Sequence, residues 1–136
     1  MNSGDDLDLP AALAQDLARI GDEFTAAMLG RFCARHPRDA ENLIELAALL
    51  TRLGRYQEGL SADQELVRLL PEDPTVHYNL ACSLALTGAP DQAVAALEIA
   101  VRLGYRDREH LLGDEDLASL RSNPRFRALL ERLPAE

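Results

Sequence analysis

DAENLIELAALLTRLGRYQEGLSADQELVRLLPEDPTVHYNLACSLALTGAPDQAVAALEIAVRLG, residues 39–104, is one pattern written twice. Moved along by 34 residues, Asp39 falls on Asp73, Leu46 on Leu80, Ala47 on Ala81 and Leu50 on Leu84. Gly54 falls on Gly88, Ala62 on Ala96 and Val67-Arg68-Leu69 on Val101-Arg102-Leu103, while Pro37 and Pro71 stand just before each copy. A fixed period of this length marks a helix-turn-helix repeat, a unit that buries its apolar face only against its neighbours.

Each copy carries its own punctuation. Asp39 and Asp73 stand where an N-cap carboxylate accepts orphan backbone N–H groups. Pro74 and Pro90 occupy first helical turns, where a missing N–H costs nothing. Leu43, Leu46, Ala47, Leu50 and Leu53 form one apolar stripe, and Leu80, Ala81, Leu84 and Leu86 its counterpart. Gly54 and Gly88 end those helices, where a left-handed residue is needed. The second helices carry Tyr56, Leu60, Leu66, Val67 and Leu70, then Ala93, Val94, Leu97, Ala100 and Val101. Ala47, Ala81, Ala93 and Ala100 are small enough for neighbouring helices to approach closely, so larger side chains there overpack.

Outward from this core the period weakens. Residues 10–37 read as a degenerate helix pair: Pro10 opens a helix, Gly21-Asp22 breaks it, and a second helix runs to His36-Pro37. It would cap the first face of the array. Residues 105–134 read as a shortened C-terminal capping repeat, interrupted at Gly113-Asp114-Glu115-Asp116 and restarted by Ser122-Asn123-Pro124. Terminal repeats need a polar outer face for solubility. The whole of 1–136 is thus expected to be a single domain, with repeats at 39–71 and 73–104.

The composition agrees with an all-α chain. Apolar residues make up 47% and aromatics only 4%, with no Trp, so strand-favouring side chains are scarce. Net charge is −9 from 14 basic and 23 acidic residues, a balance that repels phosphate backbones and argues against nucleic acid. Every basic side chain is Arg, as in a GC-rich bacterial genome. The stretch 1–10 lacks the basic and apolar regions of a signal peptide, and no apolar run spans a bilayer. A cytoplasmic protein without membrane attachment is expected, with Cys33 and Cys82 as free thiols behaving as small hydrophobes.

Leu46-Ala47, Leu50, Gly54, Tyr56, Leu66 and Pro71, repeated as Leu80-Ala81, Leu84, Gly88, Ala93 and Ala100, resemble the tetratricopeptide repeat. The departures are Leu43 and His77 where that family favours Trp or another large residue, Gly59 at a small-residue slot, and Tyr105 in place of the closing Pro. The resemblance implies an all-α helical-repeat solenoid of stacked antiparallel helix pairs, two clear repeats flanked by degenerate capping repeats. It also implies a concave groove lined by the first helix of each pair. Groove positions carried over are Glu41, Ile44, Glu45, Ala48 and Arg52, then Thr75, Tyr78, Asn79, Cys82 and Leu86. Chaperone-binding members clamp a C-terminal carboxylate with Lys, Arg and Asn. The matching positions here are Ile44, Ala48, Asn79, Glu109 and Gly113, and only Asn79 could serve. A carboxylate needs cationic donors; an amphipathic or basic peptide segment suits this groove better.

Catalytic and metal signatures are missing from the sequence. His36, His77 and His110 have no Cys or His at ligand spacing. His77 is expected to pack, satisfied, between helices. Asp114, Glu115 and Asp116 form a dense acid run that an N-cap followed by first-turn acids explains. Phosphate loops, nucleophile elbows and H-E-x-x-H are absent. Neither cysteine has a neighbouring base to activate it. The expectation is a non-catalytic adaptor or scaffold with no cofactor and no metal, whose partner is a protein or peptide. The alternative is a chaperone-like or assembly subunit acting as a homodimer through its convex or terminal face. A metal-dependent enzyme would have to rest on Asp114–Asp116.

Overall fold

The computed structural model describes residues 10–135, which contain helices and no strand. Seven α-helices follow in order: α1 (Ala11–Arg35), α2 (Ala40–Arg52), α3 (Tyr56–Leu69), α4 (Pro74–Leu86), α5 (Pro90–Arg102), α6 (Arg108–Gly113) and α7 (Pro124–Glu131). A 3-10 helix, Glu115–Leu120, lies between α6 and α7. Each of α1 to α4 packs on the next in sequence, and the 3-10 helix closes against α4. No described helix is long and apolar enough to cross a membrane.

The helix ends are chemically explicit. Asp39 accepts from the Asn42 N–H at 3.1 Å, and Asp73 from those of Thr75 and Val76 at 2.8 and 3.4 Å. Asn123 caps α7 in the same way, with Pro124 in the first turn. At the C-termini Gly54 and Gly88 adopt φ of 76° and 83°. That turn lets the Arg55 N–H donate to the Leu50 carbonyl and the Ala89 N–H to the Leu84 carbonyl, both at 2.9 Å. These 6→1 bonds satisfy carbonyls that the helix leaves open.

The N-terminal segment corrects the sequence reading. Residues 11–35 form one continuous helix, not a helix pair broken at Gly21-Asp22. Gly21 costs a helix roughly 1 kcal/mol relative to Ala, too little to stop it when the flanking residues find helical partners. The Thr25 hydroxyl donates back to the Gly21 carbonyl at 2.9 Å, and Asp22 takes two bonds from Arg52 on α2, both 3.1 Å.

The main core joins α4, α5, α6, the 3-10 helix and α7, with Leu97, Leu117, Leu120 and Leu129 fully buried. Smaller clusters sit between α1 and α2, around Ala26, Leu46 and Leu50, and between α2, α3 and α4, around Ala47, Leu66 and Val76. Ala81, Ala93 and Ala100 have no exposed surface. A Cβ on Gly59 would stand 3.0 Å from the Thr51 hydroxyl, so that slot takes glycine where α3 crosses α2. His77 departs from its expectation. Its Nε2 donates to the Pro71 carbonyl at 2.7 Å, but its buried Nδ1 has no partner among the described residues.

Candidate functional site: an acidic cleft across α2 and α4

Five of the ten expected groove residues meet in one cleft of about 290 Å³. Ile44 and Ala48 reach it from α2, and Tyr78, Asn79 and Cys82 from α4. A 34-residue shift superposes Ile44 on Tyr78 and Ala48 on Cys82, so equivalent faces of two helices make the walls. Ile44, Glu45, Ala48 and Arg52 line an adjoining depression of about 230 Å³ that extends towards α1. Arg52 spends its guanidinium on Asp22 there. The remaining three line neither hollow. Glu41 and Thr75 are exposed, and Leu86 is half-buried.

Tyr78 and Cys82 form the floor, being only 5% and 7% exposed. The Tyr78 hydroxyl donates to Asp114, and its ring stacks on Tyr105 with centroids 4.8 Å apart. Tyr105, at the position expected for a closing proline, thus braces the site. Burial pushes the Tyr105 hydroxyl up to about 12, helped by Asp107. Burial likewise raises the Tyr78 hydroxyl and the Cys82 thiol, with Asp114 adding to both. Cys82 is therefore held as a protonated thiol, which donates to Asp114 at 3.8 Å. A thiol kept protonated is a weak nucleophile.

Four titratable residues complete the cleft, none of them among the expected groove positions: Asp63, His110, Asp114 and Asp116. Asp114 caps the 3-10 helix through the Asp116 N–H at 3.0 Å and faces the His110 ring at 3.6 Å. Burial, then the charge of Asp114, raises the Asp116 carboxyl. Glu115 turns away and pairs with Arg121 at 3.3 Å. The acid run therefore does not act as a unit. The Cys82 sulfur and the Asp114 and Asp116 carboxylates lie within 4.8 Å of one another.

Asp63 is 4% exposed and accepts from the Ser83 hydroxyl through one oxygen. Burial lifts its carboxyl to about 6 against the lowering effect of that bond. A signal for it was present in the sequence. The 34-residue shift lays Asp63 on Leu97, a fully buried core leucine. A carboxylate at a core register is costly unless something satisfies it.

The cleft thus combines an apolar wall, a hydroxyl and amide edge, and three carboxylates with no arginine among its lining residues. Acids elsewhere, such as Asp22, Glu58, Glu65 and Glu98, are neutralised by arginines.

No protein-family model matches the chain. Over 82 residues it is 32% identical to a chloroplastic protein of Arabidopsis thaliana. That alignment takes in 58% of this chain and 24% of the relative, so the chain spans about a quarter of that protein's length.

Proposed function

We propose that this chain is a non-catalytic adaptor of tetratricopeptide-like repeats that captures a basic, amphipathic peptide segment in the α2–α4 cleft. The repeat reading is supported by register. Helices α2 and α4 begin 34 residues apart, at Ala40 and Pro74, and end 34 residues apart, at Arg52 and Leu86. Helices α3 and α5 begin at Tyr56 and Pro90, the same interval.

The observation that carries the ligand class is the lining of the cleft. Asp63, Asp114 and Asp116 sit without an arginine beside Ile44 and Ala48. A lysine or arginine would satisfy the carboxylates while flanking apolar residues cover the wall. Each charge-assisted hydrogen bond so formed contributes about 1.5–3 kcal/mol.

Fluorescence polarisation with two heptapeptide pools tests this. Both carry randomised apolar residues around a central arginine or, in the second pool, citrulline, which has the same shape without the charge. The arginine pool should bind at least tenfold more tightly, and Asp116→Asn should erase the margin. Equal binding of the two pools would remove the basic specificity, and binding of neither would remove the groove reading.

A second reading, a subunit acting as a homodimer, is favoured by the bare outer face of α1.

A further inference from the structure

Helix α1 buries only Ala26 fully. Its other side carries Leu13, Leu17, Ile20, Phe24, Met28 and Phe32, each between 40% and 67% exposed. Spacings of three and four residues place all six on one stripe of the helix, away from Asp22, which holds α2 through Arg52. At these exposures the stripe leaves on the order of 600 Å² of apolar surface uncovered, at the upper end of the largest patches that monomers carry.

The stripe reads almost the same from either end. Its spacings are 4, 3, 4, 4, 4 in one direction and 4, 4, 4, 3, 4 in the other. Laid antiparallel on a copy of itself, with the two-fold axis near residues 22 and 23, it sets Leu13 against Phe32 and Leu17 against Met28. Ile20 then meets Phe24. A surface that complements itself under a two-fold rotation is what an isologous dimer requires.

Charge agrees with the same alignment. Asp16 and Arg31 have no ion-pair partner among the described residues. The antiparallel arrangement brings Asp16 within two residues of the level of the partner's Arg31. A parallel arrangement would set like charges side by side and match Phe24 with Phe24. Burying the stripe on both copies removes about 1,200 Å² in all, the lower bound for a specific interface.

We infer that α1 is a dimerisation helix, pairing antiparallel with α1 of a second copy of this chain through Leu13, Leu17, Ile20, Phe24, Met28 and Phe32. This interface uses none of the residues of the cleft and leaves it open, so it holds whether or not the cleft binds peptides.

Sedimentation velocity on the full chain tests it. Between about 1 and 200 µM the mass should rise towards twice 14.9 kDa, with a dissociation constant in the micromolar range expected of an interface at this lower bound. Phe24→Glu places two carboxylates close to the two-fold axis and should weaken the dimer at least a hundredfold. Leu17→Arg should do the same, and both should leave helicity unchanged because the side chains are exposed. Orientation is read by disulfide trapping in a background lacking Cys33. Copies bearing Leu13→Cys should link to copies bearing Phe32→Cys and not to each other.

A monomer at every concentration would overturn the inference and assign the stripe to another protein. So would a dimer that survives Phe24→Glu, or Leu13→Cys copies linking among themselves.

Discussion

Replacing Asp63 by asparagine should stabilise this protein above neutral pH while damaging its cleft. Burial raises the Asp63 carboxyl from its ordinary 3.8 to about 6. Between those values the native state holds a proton that the unfolded chain has released. Stability therefore falls as pH rises through the window, and the folding advantage of the protonated acid is lost above pH 6. At about 1.4 kcal/mol per pH unit, the native state carries a penalty of roughly 3 kcal/mol at neutral pH.

Asp63→Asn keeps the shape and leaves the Ser83 hydroxyl a carbonyl oxygen to donate to, but cannot ionise. Urea denaturation followed by circular dichroism, at intervals between about pH 4 and pH 8, reads both proteins. The two should be nearly equal at the acidic end. They should separate through the window, until the variant is more stable by about 2–3 kcal/mol, or roughly 10 °C in Tm. The raised Asp116 carboxyl acts in the same direction but is common to both proteins and drops out of the difference. Parallel stability curves, or a variant less stable at about pH 8, would refute the claim that Asp63 is desolvated and short of partners. The variant should also lose affinity for the arginine pool, the exchange of stability for function usual at strained binding sites.

Two further substitutions probe the helix packing. Ala81 has no exposed surface between α4 and its neighbours, so Ala81→Trp should cost about 3 kcal/mol or more by overpacking and broaden the thermal transition; an unchanged melt would contradict the close approach. Gly54 has open space around its α-carbon but φ of 76°, so Gly54→Ala should cost about 1 kcal/mol through backbone strain alone, and Gly21→Ala, mid-helix, should stabilise by a similar amount. Equal effects at the two glycines would refute the continuous α1.

Much of the fold was legible because it is written in short-range chemistry. Asp39, Asp73 and Asn123 cap helices through groups two or three residues away, and Gly54 and Gly88 end them through their own φ. Such features need nothing beyond one helical turn. The 34-residue echo then states which units must share a core. Gly21 misled for the complementary reason. Its local preference is weak, and what decides it is Arg52, 30 residues beyond Asp22.

The cleft divides along the same line. Ile44, Ala48, Tyr78, Asn79 and Cys82 were readable as equivalent positions on repeated helices, because periodicity fixes which residues share a face. That Tyr78 gives its hydroxyl to Asp114, 36 residues away, and that Ser83 reaches Asp63 across 20, was decided only when the chain packed. Periodicity says which side of a helix a residue occupies; only the crossing of helices says whose charge it meets and whether water still reaches it. Helices, caps and spacing follow from neighbours along the chain. The convergence of three carboxylates without an arginine, and the apolar stripe that one long helix keeps uncovered, follow from how those helices cross.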